Sequence, residues 1–203
     1  MSRSPATRKG AATREVILEH AYGIATSAGL EGLSIGPLAD AVGMSKSGVF
    51  AHFGSREDLQ RAVLALAGER FAASTLMPAL AAPRGLPRLR ALLDRWFDWL
   101  RASPGGCLVL SALTEYDDRP GPMRDEVVAM HRRWRDSVAR AVALAVECGD
   151  LAQDLDPDQA AFEFNAIALA VQHDMALSGV DAAITRGRRM CDHLLAYYAA
   201  PRS

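Results

Sequence analysis

The chain has 203 residues, half of them hydrophobic, enough for one large domain or for a small one joined to a larger one. Its formal net charge of −1 does not itself call for a nucleic-acid partner, but the first 14 residues hold Arg3, Arg8, Lys9 and Arg14 and no acid, a basic arm on an acidic body. Cys107, Cys148 and Cys191 are too few and too scattered for a disulfide framework or a zinc pattern, and no apolar run reaches the roughly 18 residues of a membrane span, so a reducing cytoplasm is the expected compartment.

Residues 1–12, MSRSPATRKGAA, read as a flexible basic arm. Helical periodicity then runs almost without interruption, and convincing strand alternation is absent. The expected class is all-α, with about nine helices. The first helix spans about Thr13 to Ala28, with Ile17, Ala21, Ile24 and Ala28 on one face, and GLEGL ends it. Ser34 is placed to cap a short second helix, IGPLADAV, whose Pro37 fits only in the first turn. Ser45 caps a third helix ending near Phe53, and Gly54 stops it. SRED is a capping box for a longer fourth helix carrying Leu59, Val63 and Leu66. A fifth covers about Pro87 to Ala102, and a sixth follows PGG to about Tyr116. The seventh runs from about Met123 to Cys148. The eighth starts at DPDQ, with Asp156 as cap and Pro157 in the first position. SGVD separates it from the ninth, about Ala182 to Tyr198.

Residues 34–53 are thus two short helices around a turn containing Gly43, a helix-turn-helix. In that motif the N-terminal residues of the second helix meet base edges in the major groove. Lys46 and Ser47 hold those positions, and Gly48 leaves the backbone free to approach closely. His52 and Arg56 fall where the chain leaves the groove, suited to phosphates. Val49 and Phe53 are expected inward with Leu38, Ala41 and Val42, and Phe50 partly exposed.

From Thr13 to about Leu66 the chain resembles the DNA-binding domain of the tetracycline-repressor (TetR) family of bacterial transcription regulators. The stretches that carry the resemblance are TREVILEHAYGIATSAGLEGLSI, LADAVGMSKSGVFAHF and GSREDL. The resemblance implies a DNA-binding domain over residues 13–54 and a ligand-binding and dimerisation domain over 55–203. It implies a homodimer on a palindromic double-stranded DNA operator, a repressor released by a small organic effector, and neither catalytic activity nor a cofactor. Carried over by position, Arg14, Ser34, Gly36, Ser45, Lys46, Ser47, Gly48, Phe50, His52 and Arg56 fall at or near DNA. Phe50 departs from the family, whose members often place Tyr there to reach a phosphate; Ala51 and Gly36 are also small where longer side chains are common. More weight therefore rests on Lys46, Ser47 and the arm.

In the body, Trp96, Phe97, Trp99, Tyr116, Trp134, Phe162 and Phe164 supply most of the large rings. His131 sits on the apolar stripe of the seventh helix and needs a partner, with Glu115, Asn165, Gln172 and His173 as candidates. The expected effector site is Trp96, Leu100, Tyr116, His131, Trp134, Phe162, Asn165, Leu169 and His173; core packing explains any single one of these equally well. The eighth helix is apolar on two sides and has to bury both. By the resemblance, it and the ninth form a dimer interface through Ala161, Phe164, Ala168, Val171, Met175, Ile184, Met190, Leu194 and Leu195. His173-Asp174 and Asp192-His193 lack metal-ligand spacing. Two alternatives stay open at this point: a small-molecule-binding protein or enzyme with a structural head, and a regulator gated by oxidation of Cys107.

Overall fold

The computed structural model describes residues 5–103 and 105–199. Helix α1 covers Pro5–Gly32, α2 Ile35–Ala41, α3 Lys46–Phe53 and α4 Arg56–Phe71. A π turn, Ala72–Leu76, leads into the one-turn α5, Met77–Ala79. Then come α6 (Leu86–Ala102), α7 (Leu108–Tyr116), α8 (Pro122–Glu147), α9 (Pro157–Ser178) and α10 (Val180–Tyr197). Among the described residues there is no strand, only an isolated bridge between Leu151 and Ala199. None of the helices is long and apolar enough to cross a membrane, among the described residues.

Local chemistry sets most of the boundaries. The Ser45 hydroxyl accepts the Gly48 N–H at 3.1 Å and so starts α3. Ser55 accepts the Asp58 N–H at 3.0 Å and donates to the Asp58 carboxylate at 2.7 Å, which starts α4. Asp156 accepts from the N–H groups of Asp158 and Gln159 at the head of α9. Ser34 departs from expectation: its backbone has the extended N-cap geometry, but its side chain makes no capping bond.

The N-terminal arm also needs correction. Residues 1–4 lie outside the described residues, but 5–12 already belong to α1. That helix breaks at Gly29, one residue past its expected end, where φ is 77°. Only glycine takes that conformation readily, and a side chain there would also strike the Glu115 carboxylate, 2.7 Å from an added Cβ.

Helices α1, α2 and α3 enclose Ile17, Ala21, Leu38 and Val49. On α2 the inward face is Ile35, Leu38 and Ala39, at i, i+3 and i+4; Ala41, expected inside, ends the helix exposed. Helix α1 also packs on α4 and α7, and α7 on α8. Helix α9 lies against α8 and α10, and α6 against both α8 and α10. The close approach of α10 depends on Gly187, where an added Cβ would lie 2.4 Å from Val171 and 2.8 Å from Phe97.

Candidate nucleic-acid interface and effector cavity

The outer side of α3 is polar and open. Ser45, Lys46 and Ser47 are exposed, while Val49 and Phe53 on the opposite side are buried. The two serine hydroxyls are 3.0 Å apart, so the cap that starts α3 also orients Ser47. Lys46 reaches back over α2. The Lys46 ammonium nitrogen lies 3.6 Å from where a Cβ on Gly36 would stand, so the lysine side chain packs over Gly36. Phe50 is 41 % exposed and adjoins this polar face.

The other expected contacts are more constrained. The Arg14 guanidinium lies over the Phe53 ring, 4.6 Å from its centroid. His52 is half-buried in the last turn of α3. Ser34 is exposed at the start of α2. Arg56, expected near phosphate, also bonds within the chain. Its Nε donates to the Leu33 carbonyl at 2.8 Å, a second nitrogen donates to the Glu31 carbonyl, and the Glu31 carboxylate is 3.5 Å away. Arg56 therefore ties α4 to the α1–α2 corner.

That corner is also gripped from α7. The Glu115 carboxylate accepts the backbone N–H groups of Leu30, at 3.3 Å, and Glu31, at 2.8 Å, which the break at Gly29 leaves without helical partners. Gln60 donates to the Leu30 carbonyl at 2.7 Å. Tyr116 donates to the Glu31 carboxylate at 2.6 Å, and Arg119 lies 3.3 Å from it. The Tyr116 hydrogen bond, with Arg56 and Arg119 beside it, holds the Glu31 carboxyl below its ordinary range.

The opposite end of α7 borders a cavity of about 750 Å³. Its walls include Leu64, Gly68 and Phe71 of α4, Ala72 and Leu76 of the π turn, Trp96 of α6, Cys107, Val109 and Leu110 around the start of α7, and Met130, His131 and Trp134 of α8, with Glu69, Glu126, Arg133, Asp136 and Ser137 also lining it. Trp134 stands edge-on between Phe71 and Trp96, 4.7 Å from each centroid. His131 is buried, and its Nε2 donates to the Val109 carbonyl at 2.7 Å. None of the four polar side chains expected to partner it does so. A carbonyl can only accept, so the proton sits on Nε2, and burial pushes the imidazolium pKa down, leaving the ring neutral.

Of the nine residues expected at the effector site, the cavity gathers Trp96, His131 and Trp134. Leu100 is fully buried outside this lining, and Tyr116 is committed to Glu31. Asn165, outside the lining too, has a buried side-chain oxygen without a partner among the described residues. Phe162, Leu169 and His173 instead point outward from α9, and Phe162 is 52 % exposed. The residues expected at the dimer interface show the reverse. Ala161, Phe164, Ala168 and Val171 of α9, and Ile184 and Leu195 of α10, are buried within the chain itself. Met175 and Leu194 are half-buried, and Met190 is exposed. The two apolar sides of α9 were both visible in the sequence; α8 and α10 cover the side that was expected to be free.

Leu64, Gly68 and Phe71 were missed as cavity residues, although they share one stripe of α4 at i, i+4 and i+7. The spacing marks an inward face and cannot separate a wall from a solid core. Cys107 is buried, which pushes its thiol pKa up, and its sulfur accepts the Trp99 indole N–H at 3.3 Å. No group of three or more His, Cys, Asp or Glu able to hold a metal occurs among the described residues.

Comparison with known proteins agrees with this arrangement. Residues 12–63 match the family described as bacterial regulatory proteins, tetR family, and residues 85–191 match the tetracyclin repressor-like C-terminal domain. A TetR transcriptional regulator from Chloroflexus aurantiacus is similar at 26 % identity and a TM-score of 0.75, over 89 % of this chain and 94 % of that one. A TetR-family regulator from Cytophaga hutchinsonii shares 17 % identity with a TM-score of 0.85 over all of both chains. The regulator AibR, solved with isovaleryl coenzyme A and operator DNA, shares 22 % identity with a TM-score of 0.72, over 94 % of this chain and all of that one. Comparison with curated protein sequences found no match. A helix-turn-helix with an open polar recognition face, a helical body around an apolar cavity, and family matches over both segments make this chain a member of the TetR family: a DNA-binding transcriptional regulator with a C-terminal ligand-binding domain, not an enzyme.

Proposed function

We propose that the chain is a homodimeric repressor that holds a palindromic operator and leaves it when a small organic molecule enters the cavity. Residues 13–54 serve as the DNA-binding domain and 55–203 as the effector and dimer domain. The observation that carries the reading is the two-sided α3: Lys46 and Ser47 open to solvent, with Val49 and Phe53 buried beneath them. Such a helix enters the major groove with its cationic end and stays anchored by its apolar side. Ser34, Gly36, Ser45, Gly48, Phe50 and His52 line the approach to DNA.

The dimer surface in this reading is the outward stripe Phe162, Leu169 and Leu177 of α9 with Met190 and Tyr197 of α10, all exposed. Exposed apolar side chains on neighbouring helices are what a second copy can cover. Two recognition helices then stand one DNA turn apart, about 34–36 Å. Release runs through α7, which touches the cavity at Val109 and Leu110 and the α1–α2 corner at Glu115 and Tyr116. A hundredfold loss of operator affinity needs about 2.7 kcal/mol of coupling, within the usual range. The AibR complex, with its coenzyme A ester and DNA, is consistent with this division of labour. Gating by thiol oxidation has less support, because Cys107 is buried and its thiolate disfavoured.

The test is selection of bound DNA from a random pool, followed by titration of Lys46→Ala on the selected sequence. The variant is expected to stay dimeric, to bind more weakly, and to lose about one unit from the log–log salt slope if Lys46 neutralises one phosphate. Operator affinity equal to that of the unaltered chain would sink the assignment of α3.

A further inference from the structure

We propose that the cavity takes a neutral, largely apolar molecule whose hydroxyl, that of an alcohol or a phenol, donates its proton to Nδ1 of His131. This rests on reading the body as the effector domain and names the chemical class of its ligand. His131 gives its Nε2 proton to the Val109 carbonyl at 2.7 Å. The ring is neutral, so Nδ1 carries a bare lone pair and can only accept. Among the described residues it has no partner, since the one hydrogen bond of the ring is made by Nε2. Nor is it sealed off. The buried side-chain polar atoms left without a partner, among the described residues, are Thr75 Oγ1, Trp134 Nε1 and Asn165 Oδ1. His131 Nδ1 is not one of them, so it keeps accessible surface. That surface is not on the outside of the protein. His131 is only 7 % exposed, and Val127 and Trp134, its neighbours on the same stripe of α8, are buried as well. The open space beside the ring is the cavity of about 750 Å³ whose wall it forms, of a size that holds small organic ligands.

The other polar groups of the wall are already committed. Ser137 donates its hydroxyl to the Arg133 carbonyl at 2.8 Å, and the Cys107 sulfur accepts the Trp99 N–H. The buried part of the lining carries no charge. Glu69, Arg133 and Asp136 are exposed at its edge, and the half-buried Glu126 is paired with Arg61. Three carboxylates against one guanidinium disfavour a carboxylate or phosphate, and no buried cation waits to pair one. An ammonium has protons to give Nδ1, but it would bring its charge among the rings with no buried carboxylate beside it. A ketone or ether has no proton to give and meets a lone pair with a lone pair. An alcohol or phenol brings one donor and no charge, and the rest of the molecule is at home against the apolar wall.

The test compares 4-hexylphenol with 4-hexyltoluene, in which a methyl group of similar size takes the place of the hydroxyl. The corresponding 4-hexylbenzoate and 4-hexylbenzylammonium serve as the anionic and cationic arms. Each is titrated into the full chain labelled with ¹⁵N at histidine, following the ring nitrogens of His131, and affinities are measured in parallel. The phenol is expected to move the Nδ1 signal upfield, as a lone pair that accepts a hydrogen bond does, and the toluene is not. His131→Phe should lower the phenol-to-toluene affinity ratio about tenfold. Comparing that ratio between the two proteins cancels each ligand's own transfer out of water, so it isolates the hydrogen bond. If His131→Phe does not fold, the assigned Nδ1 signal of the unaltered chain decides alone. No phenol binding, an Nδ1 signal that responds alike to phenol and toluene, or tighter binding of the benzoate or the benzylammonium would overturn the proposal. Release of operator DNA by the anion or cation alone would overturn it while leaving the regulator reading intact. Phenol binding with the Nδ1 signature but without DNA release would support the ligand class and count against effector-driven release.

Discussion

Tyr116 donates its hydroxyl to the Glu31 carboxylate at 2.6 Å, joining the last turn of α7 to the corner between α1 and α2. The phenol is otherwise buried, and Glu31 is also approached by Arg56 and Arg119. Tyr116→Phe keeps the packing and deletes one charge-assisted bond. The expected result is a loss of about 1–2 kcal/mol in urea unfolding. Amide exchange at Leu30 and Glu31 should quicken, because the Glu115 grip on those two N–H groups shares the same corner. An operator affinity that no longer responds to cavity ligands in this variant would place the bond on the coupling route.

The same carboxylate makes stability sensitive to acid. Its folded pKa lies below the unfolded glutamate value of about 4.3. Its contribution is therefore complete above about pH 4.3 and is lost as pH falls through the lower folded value. Glu31→Gln should flatten that part of the acid limb of a stability-versus-pH curve, leaving the neutral region with a smaller offset.

His131 gives a second pH window at higher pH. Burial lowers its folded pKa, so below the unfolded value of about 6.5 the unfolded chain binds a proton that the folded chain refuses. Stability attributable to this residue is present above that value and declines as pH falls beneath it, by up to about 1.4 kcal/mol per pH unit. His131→Gln keeps an N–H for the Val109 carbonyl but does not titrate. Urea midpoints measured from pH 7.5 down to 5.5 should therefore fall less in this variant.

Two adjacent positions on α9 separate assembly from folding. Leu169 is 42 % exposed on the outward stripe, and Ala168 beside it is buried against the body. Leu169→Glu should yield a folded monomer in sedimentation, with operator binding weakened through loss of the twin head. Ala168→Glu should instead unfold the chain, since an unpaired carboxylate would be forced into an apolar interior.

Phe50 is open beside Lys46 and has no hydroxyl. By the family resemblance a tyrosine here reaches a phosphate. Phe50→Tyr should therefore tighten operator binding about threefold to tenfold, one hydrogen bond to an anionic oxygen, with no change in the preferred sequence. A filter-binding series across the selected operator variants would read both quantities.

Much of this protein was legible in the order of its residues, because the forces involved act over one or two helical turns. Hydroxyl and carboxylate caps at Ser45, Ser55 and Asp156 mark helix starts, and Gly54 and Gly29 mark stops, wherever the rest of the chain lies. The polar and apolar sides of α3 follow from its spacing alone, which is why Lys46, Ser47 and Val49 stand as expected. Tertiary structure decided which inward stripe meets what. Both sides of α9 are apolar, and only the placement of α8 and α10 put Phe164 and Val171 inside and left Phe162 and Leu169 out. Arg56, read as a cation for phosphate, also bonds to carbonyls 23 and 25 positions earlier, and His131 to a carbonyl 22 positions away. Periodicity reports that a side chain turns inward; whether it then meets a neighbour, a second copy or an empty cavity depends on contacts far apart along the chain.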